Sequence, residues 1–171
     1  YLQQLEIEQS KSERLLLNIL HAPIANRLKR HEMLIADSFA SCTVLFADII
    51  GFTEISSGLS PKTLVKSLNL LFSSYDSLAD RYGLEKIKTI GDCYMAASGL
   101  PIPREDHAEA MIDMAFEMLE ETVRVKAKLA HPFDVRVGIS TGQVVAGVIG
   151  HKKFCYDLWG DTVNTASRMS G

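Results

Sequence analysis

Apolar positions along this chain switch between a helical and a strand period, and the switches mark its elements. Near the start, Leu2, Leu5, Leu16 and Ile19 fall on an a/d heptad seam that Gln9 and Ser12 interrupt. That pattern predicts a helix pairing weakly with a copy of itself, or else packing on its own domain. Pro23 should end or kink this helix, with a short second helix running to about Arg30. Residues 43–47 read as a buried strand. Ser60 and Pro61 read as an N-cap and a first helical residue, and Leu64, Val65, Leu68, Leu71, Phe72, Tyr75 and Leu78 share the face of a helix that Gly83 closes. Residues 86–90 and 93–98 read as strands joined by a tight turn at Gly91-Asp92. A second long helix is predicted over 105–129, with Ala108, Met111, Ile112, Ala115, Met118 and Leu119 turned inward. A strand over 133–139, a glycine-punctuated strand region over 142–150, a strand over 154–158 and a last helix capped by Asp161 complete the chain. The order predicts an α+β fold with a ferredoxin-like βαββαβ core. Residues 1–30 form its helical entry segment, and residues 40–171 form the domain proper.

Composition narrows the function classes. With 47% hydrophobic and 23% charged residues, the 171-residue chain has the material for a packed core. Its net charge of −3 supplies no basic field for nucleic acid. Cys42, Cys93 and Cys155 are odd in number, far apart and set in or beside apolar segments, as expected of reduced thiols in a cytosolic setting. No apolar run approaches the roughly 18 residues of a membrane span, and no signal peptide is evident. The chain opens inside a polar helical pattern without an initiator methionine. It therefore reads as a cytoplasmic piece of a longer protein, compatible with a membrane anchor upstream.

Two hydrophobic runs end on aspartate beside glycine. Val44-Leu45-Phe46-Ala47-Asp48-Ile49-Ile50-Gly51-Phe52-Thr53 carries the first, and Glu85-Lys86-Ile87-Lys88-Thr89-Ile90-Gly91-Asp92 the second. A carboxylate at a strand end is open to a cation, and the glycine lets a phosphate approach the backbone. Two such carboxylates suit two divalent ions and chemistry on a nucleoside triphosphate. Turn geometry alone also favours Asp and Gly at strand ends, so each motif by itself leaves both readings open. A third motif runs Asp157-Leu158-Trp159-Gly160-Asp161-Thr162-Val163-Asn164-Thr165-Ala166-Ser167-Arg168. Asn164 and Arg168, four apart, share one helix face. An amide and a guanidinium there can hold a ribose and a phosphate, although such pairs are commonly a solvated face. His21, His31, His107, His131 and His151 show no metal-ligand spacing.

With these three motifs in order, the chain resembles the class III nucleotidyl cyclases, and within them the homodimeric adenylyl cyclases of bacteria. Residues 15–29 also resemble the family's entry segment. The resemblance implies that Asp48, Asp92 and the backbone carbonyl of Ile49 hold two Mg²⁺ or Mn²⁺ ions. It implies that the amides of Gly51, Phe52 and Thr53 cradle the β- and γ-phosphates. Asn164 and Arg168 would come from the opposite subunit, one orienting the ribose and the other stabilising charge on the α-phosphate. Lys88 and Asp157 would read the base. Adenine offers an acceptor at N1 and a donor at N6, matching a lysine and an aspartate; the guanylyl branch carries Glu and Cys at these positions. The implied activity is conversion of ATP to 3′,5′-cyclic AMP and pyrophosphate by a homodimer with two equivalent sites. The entry helix would couple to an upstream sensor or membrane domain. A guanylyl cyclase, a catalytically silent dimerisation or nucleotide-sensing module, and a diguanylate cyclase or polymerase-palm relative are the alternatives. Relatives continue through further strands, one bearing a triphosphate-binding lysine, and no residue here takes that role.

Overall fold

The computed structural model describes all 171 residues. The elements are α1 (Leu2–Ile19), α2 (Ala22–Lys29), β1 (Ala36–Ile49), α3 (Phe52–Ser57), α4 (Pro61–Tyr82), β2 (Glu85–Ile90), β3 (Cys93–Ser98), α5 (His107–Lys126), β4 (Val135–Ile149), β5 (Cys155–Trp159) and α6 (Asp161–Ser170). The five strands form one antiparallel sheet in the order β2-β3-β1-β4-β5. Its first four strands have the ferredoxin-like arrangement, and β5 extends it beyond β4.

Each face of the sheet carries its own core. α4 and α5 cover one face, where Leu45, Tyr75, Tyr94, Met111, Met114 and Met118 are fully buried. α2 and α6 cover the other, over Leu20, Ile24, Val44, Met95, Val144 and Ala166. Alternation along β1 sends Leu45, Ala47 and Ile49 to the first core and Val44 and Phe46 to the second, which leaves Asp48 at the strand end on the α6 side. α4 starts as its sequence predicts: the Thr63 amide donates to Ser60 Oγ at 3.2 Å, Pro61 opens the helix, and Gly83 ends it at φ +66°.

The structure revises several expectations. The break at Pro23 and the short second helix stand, with α1 stopping at Ile19 and α2 running Ala22–Lys29 with the proline in its first turn. The strand predicted over 43–47 extends to Ala36–Ile49, and the glycine-punctuated stretch is the second half of one continuous strand, β4. Gly160 is the N-cap of α6, and Asp161 is its first residue with no capping bond. On α5, Ile112 and Leu119 lie on the exposed side with Phe116 and Val123. No helix is long and apolar enough to cross a membrane.

The seating of α6 depends on Gly138. A Cβ there would lie 2.4 Å from both the Ala166 carbonyl oxygen and the Ser170 amide nitrogen. The Thr162 hydroxyl donates to the Gln143 carbonyl at 2.8 Å and fixes the other end of the helix. Gly138→Ala is therefore expected to destabilise the fold by about 3 kcal/mol, the upper range for overpacking, and to lower the melting temperature by roughly 10 °C. A thermal melt checks this; an unchanged midpoint would mean that α6 shifts freely.

Candidate active site

The site residues fall into two groups at the ends of the strands. Asp48 ends β1 and faces Cys93 across the β1–β3 ladder, which sets it beside Asp92 in the β2–β3 turn. The Ile49 amide lies 3.4 Å from the Asp92 carbonyl oxygen, closing the backbone around the pair. Burial raises the Asp48 carboxyl above the usual range. Asp92 raises it further, through a shared hydrogen bond and through its charge, while Arg136 opposes the shift. Two carboxyl groups this close need a proton or a cation between them.

The donor set fits a divalent ion that also takes ligands from a substrate. No three His, Cys, Asp or Glu side chains cluster anywhere in the chain, so no all-protein cage exists. One or two carboxylates plus phosphate oxygens is the usual way of holding Mg²⁺. Gly51 follows at φ +68°, a conformation that disfavours any side chain, and turns β1 into α3. The amides of Phe52 and Thr53 stand in the first turn of that helix, where backbone donors lack helical partners.

The second group surrounds a cavity of about 290 Å³ lined by Phe46, Met95, Trp159, Lys88, Asp157 and Asn164, among others. Lys88 Nζ donates to Asp157 Oδ2 at 2.6 Å, and Asp157 Oδ1 accepts from the Leu158 amide at 2.8 Å. These two residues belong to opposite edge strands of the sheet, which curls to bring them together. A register shift in β2 makes this possible. Lys86 lies opposite Ala96 of the first core, yet Lys88 lies opposite Met95 of the second. The bulge at Ile87 thus turns two lysines that simple alternation would align to opposite faces. Lys86 pairs with Asp76 of α4, and Lys88 with Asp157. Asn164 and Arg168 lie one turn apart on the exposed side of α6, as their spacing predicts. Neither aspartate of the first group lines the cavity.

Sequence reasoning missed Arg136. It is the cross-strand partner of Asp48 on β4, exposed, and free of any ion pair within the chain. The register of two distant strands reveals it; no local motif does.

Comparison with known proteins accounts for this arrangement. The sequence profile of the adenylate and guanylate cyclase catalytic domain matches residues 34–171. The chain is 51% identical over 166 residues to an adenylate cyclase of Mycobacterium tuberculosis, covering 96% of this chain and 38% of that protein. It is 42% identical to the rat guanylate cyclase soluble subunit beta-2, over 96% of this chain and 24% of that one. The chain thus spans well under half the length of these relatives. Among solved structures, the catalytic core of a rhodopsin-guanylyl cyclase with converted specificity, in complex with ATPαS, superposes with a TM-score of 0.75 at 43% identity, over 79% of this chain and 73% of that one. The adenylyl cyclase CyaB from P. aeruginosa gives 0.73 at 30% identity, over 79% and 72%. The paired strand-end aspartates, the lysine–aspartate pocket and the helix carrying Asn164 and Arg168 therefore sit on a chain that belongs to the class III nucleotidyl cyclases, as an adenylate and guanylate cyclase catalytic domain.

Proposed function

We propose that this chain converts ATP to 3′,5′-cyclic AMP and pyrophosphate, at two sites shared between two copies of itself. The observation that carries the base assignment is the Lys88–Asp157 pair at the cavity wall. A lysine donates to adenine N1 and an aspartate accepts from the N6 amino group; guanine presents the reverse pattern. Phe46 and Met95 supply an apolar wall for the purine. ATP takes the place of the ion pair, each partner exchanging the other for one atom of the base edge.

In this reading Asp48, Asp92 and the Ile49 carbonyl hold two Mg²⁺ or Mn²⁺ ions, which would lower the pKa of the ribose 3′-hydroxyl and offset charge on the triphosphate. The 3′-hydroxyl would give up its proton to solvent and its oxygen would attack the α-phosphorus in line, forming the cyclic ester as the bond to the pyrophosphate oxygen breaks. The amides of Gly51, Phe52 and Thr53 bind the β- and γ-phosphates, and Arg136, beside Asp48, adds a cation to the same region. Asn164 of the other copy orients the ribose, and its Arg168 stabilises charge growing on the α-phosphate. Neither Asp48 nor Asp92 lines the base cavity of its own chain, which supports their serving the cavity of the other copy. α1 supports a further contact between copies: Leu2, Leu5 and Ile19 are exposed along it. In the longer protein this helix would couple the domain to an upstream sensor or membrane segment, with the domain itself on the cytoplasmic side.

Exchange of the base readers tests the substrate assignment. Lys88→Glu with Asp157→Cys should depress ATP turnover by about 10² or more and raise the GTP-to-ATP ratio, because mismatched polar groups at a buried edge go unpaired. The assay is cyclic-product formation from each nucleotide with Mn²⁺. A double variant that keeps the original ratio would show that these residues do not read the base.

A further inference from the structure

The elbow between α1 and α2 contributes no residue to the base cavity, yet it rests on β2 and β5, the two strands that carry Lys88 and Asp157. Leu20 and Ile24 are buried in the second core with Ile87 of β2 and with Tyr156 and Leu158 of β5. His21 stands at the elbow, and its Nδ1 lies 2.7 Å from Oε2 of Glu85, the first residue of β2. The Glu85 side chain is only 14% exposed. Burial raises its carboxyl above the usual range, His21 opposes the shift, and the charge of Asp80 on α4 adds to it. A cavity of about 480 Å³ opens beside the contact, with Asp76 and Asp80 of α4 and Lys86 of β2 on its wall. Lys86 is committed to Asp76 at 2.9 Å, so His21 is the one basic side chain paired with Glu85.

β2 has only six residues, and β3 is its single neighbour in the sheet. An edge strand of this length is held loosely unless side chains fix it. Glu85 lies opposite Ala97, and Lys88 opposite Met95, both in the second core, so these two side chains share a face with the bulge between them. At one end that face is tied to the elbow by Glu85, and at the other to β5 by Lys88. On β5, Tyr156 precedes Asp157 and is buried in the core shared with the elbow, its hydroxyl without a partner.

We propose that His21 and Glu85 are positioning residues for the base pocket: the elbow holds β2 where Lys88 meets the same base edge as Asp157. This rests on the reading of Lys88 and Asp157 as base readers. Loss of the contact lets β2 drift, weakening ATP binding without touching the groups that stabilise the reacting phosphate.

The test uses the full chain, with Mn²⁺ kinetics for KM and kcat. ATP affinity is read from the fluorescence of Trp159, the sole tryptophan, which lines the pocket. Glu85→Ala and His21→Ala should each raise KM and Kd for ATP about tenfold, with kcat within about two-fold of the parent. Glu85→Gln, which still accepts a hydrogen bond from His21, should restore affinity to within about two-fold. The double alanine variant should be no worse than either single one, since both break one contact. If Glu85→Ala does not fold, His21→Ala carries the test, as that side chain is 40% exposed. Unchanged ATP affinity in the folded alanine variants, or losses that add in the double variant, would overturn the proposal. Lys88→Ala run alongside locates a failure. If it weakens ATP binding and Glu85→Ala does not, only the positioning role falls; if neither does, the base pocket itself is misassigned.

Discussion

Asp48→Ala and Asp92→Ala are each expected to reduce cyclic-nucleotide formation by at least about 10³-fold while leaving the chain folded. Each carboxylate is one of only two anionic side chains at its site, and no cluster of other ligands stands by to replace it. The variants should not lose stability without divalent ions. Burial and the neighbouring Asp92 place the folded value for Asp48 above that of an unfolded aspartate. The charged carboxylate is thus a cost to the fold above that raised value, and the cost is relieved as pH falls through it. Removing the group should leave the melting temperature unchanged or slightly higher in chelator. The same shift predicts that Mn²⁺ binding weakens as pH falls through the raised value, since proton and cation compete for one carboxylate. Product formation, a melt in chelator and Mn²⁺ titrations at several pH values check all three. A folded variant with activity near the parent's would remove the two-ion assignment.

The second large effect is recovery. Asp48→Ala and Arg168→Ala should each be nearly inactive alone. In a mixed dimer one site collects both defects, while the other pairs an intact Asp48 with an intact Arg168. Equal mixing with random exchange makes about half the dimers mixed, each with one working site of two, so activity should return to about a quarter of the parent's. Dilution should lower the parent's specific activity as copies separate. Cyclic AMP formation after verified subunit exchange is the readout. Absence of recovery would place each complete site within one chain.

Much of this was legible in the sequence because local chemistry dictates it. A hydrophobic run ending on Asp48 is a strand end, Ser60-Pro61 and Gly83 bound α4, and four-residue spacing puts Asn164 and Arg168 on one face. What stayed hidden depends on distant backbone. Gly138 lies inside one predicted strand and Gly147 inside the glycine-punctuated region after it, but no local signal says that they make room for α6 and for the Ile35 carbonyl, or that one strand, β4, runs through both. Periodicity found the buried arc of α5 through Met111, Ala115 and Met118 but drew it too wide at Ile112 and Leu119, because apolar residues cover more of that helix than the sheet buries: Phe116 is 65% exposed. The direction of Lys88 requires a bulge that alternation does not contain, and the place of Arg136 beside Asp48 requires the β1–β4 register.

The most direct measurement is to incubate the purified chain with ATP or with GTP in the presence of Mn²⁺ and to resolve the products by chromatography. The account predicts 3′,5′-cyclic AMP and pyrophosphate from ATP, with GTP turned over far more slowly. Preferential formation of cyclic GMP, or no cyclic product from either nucleotide at concentrations where the chain is dimeric, would contradict it.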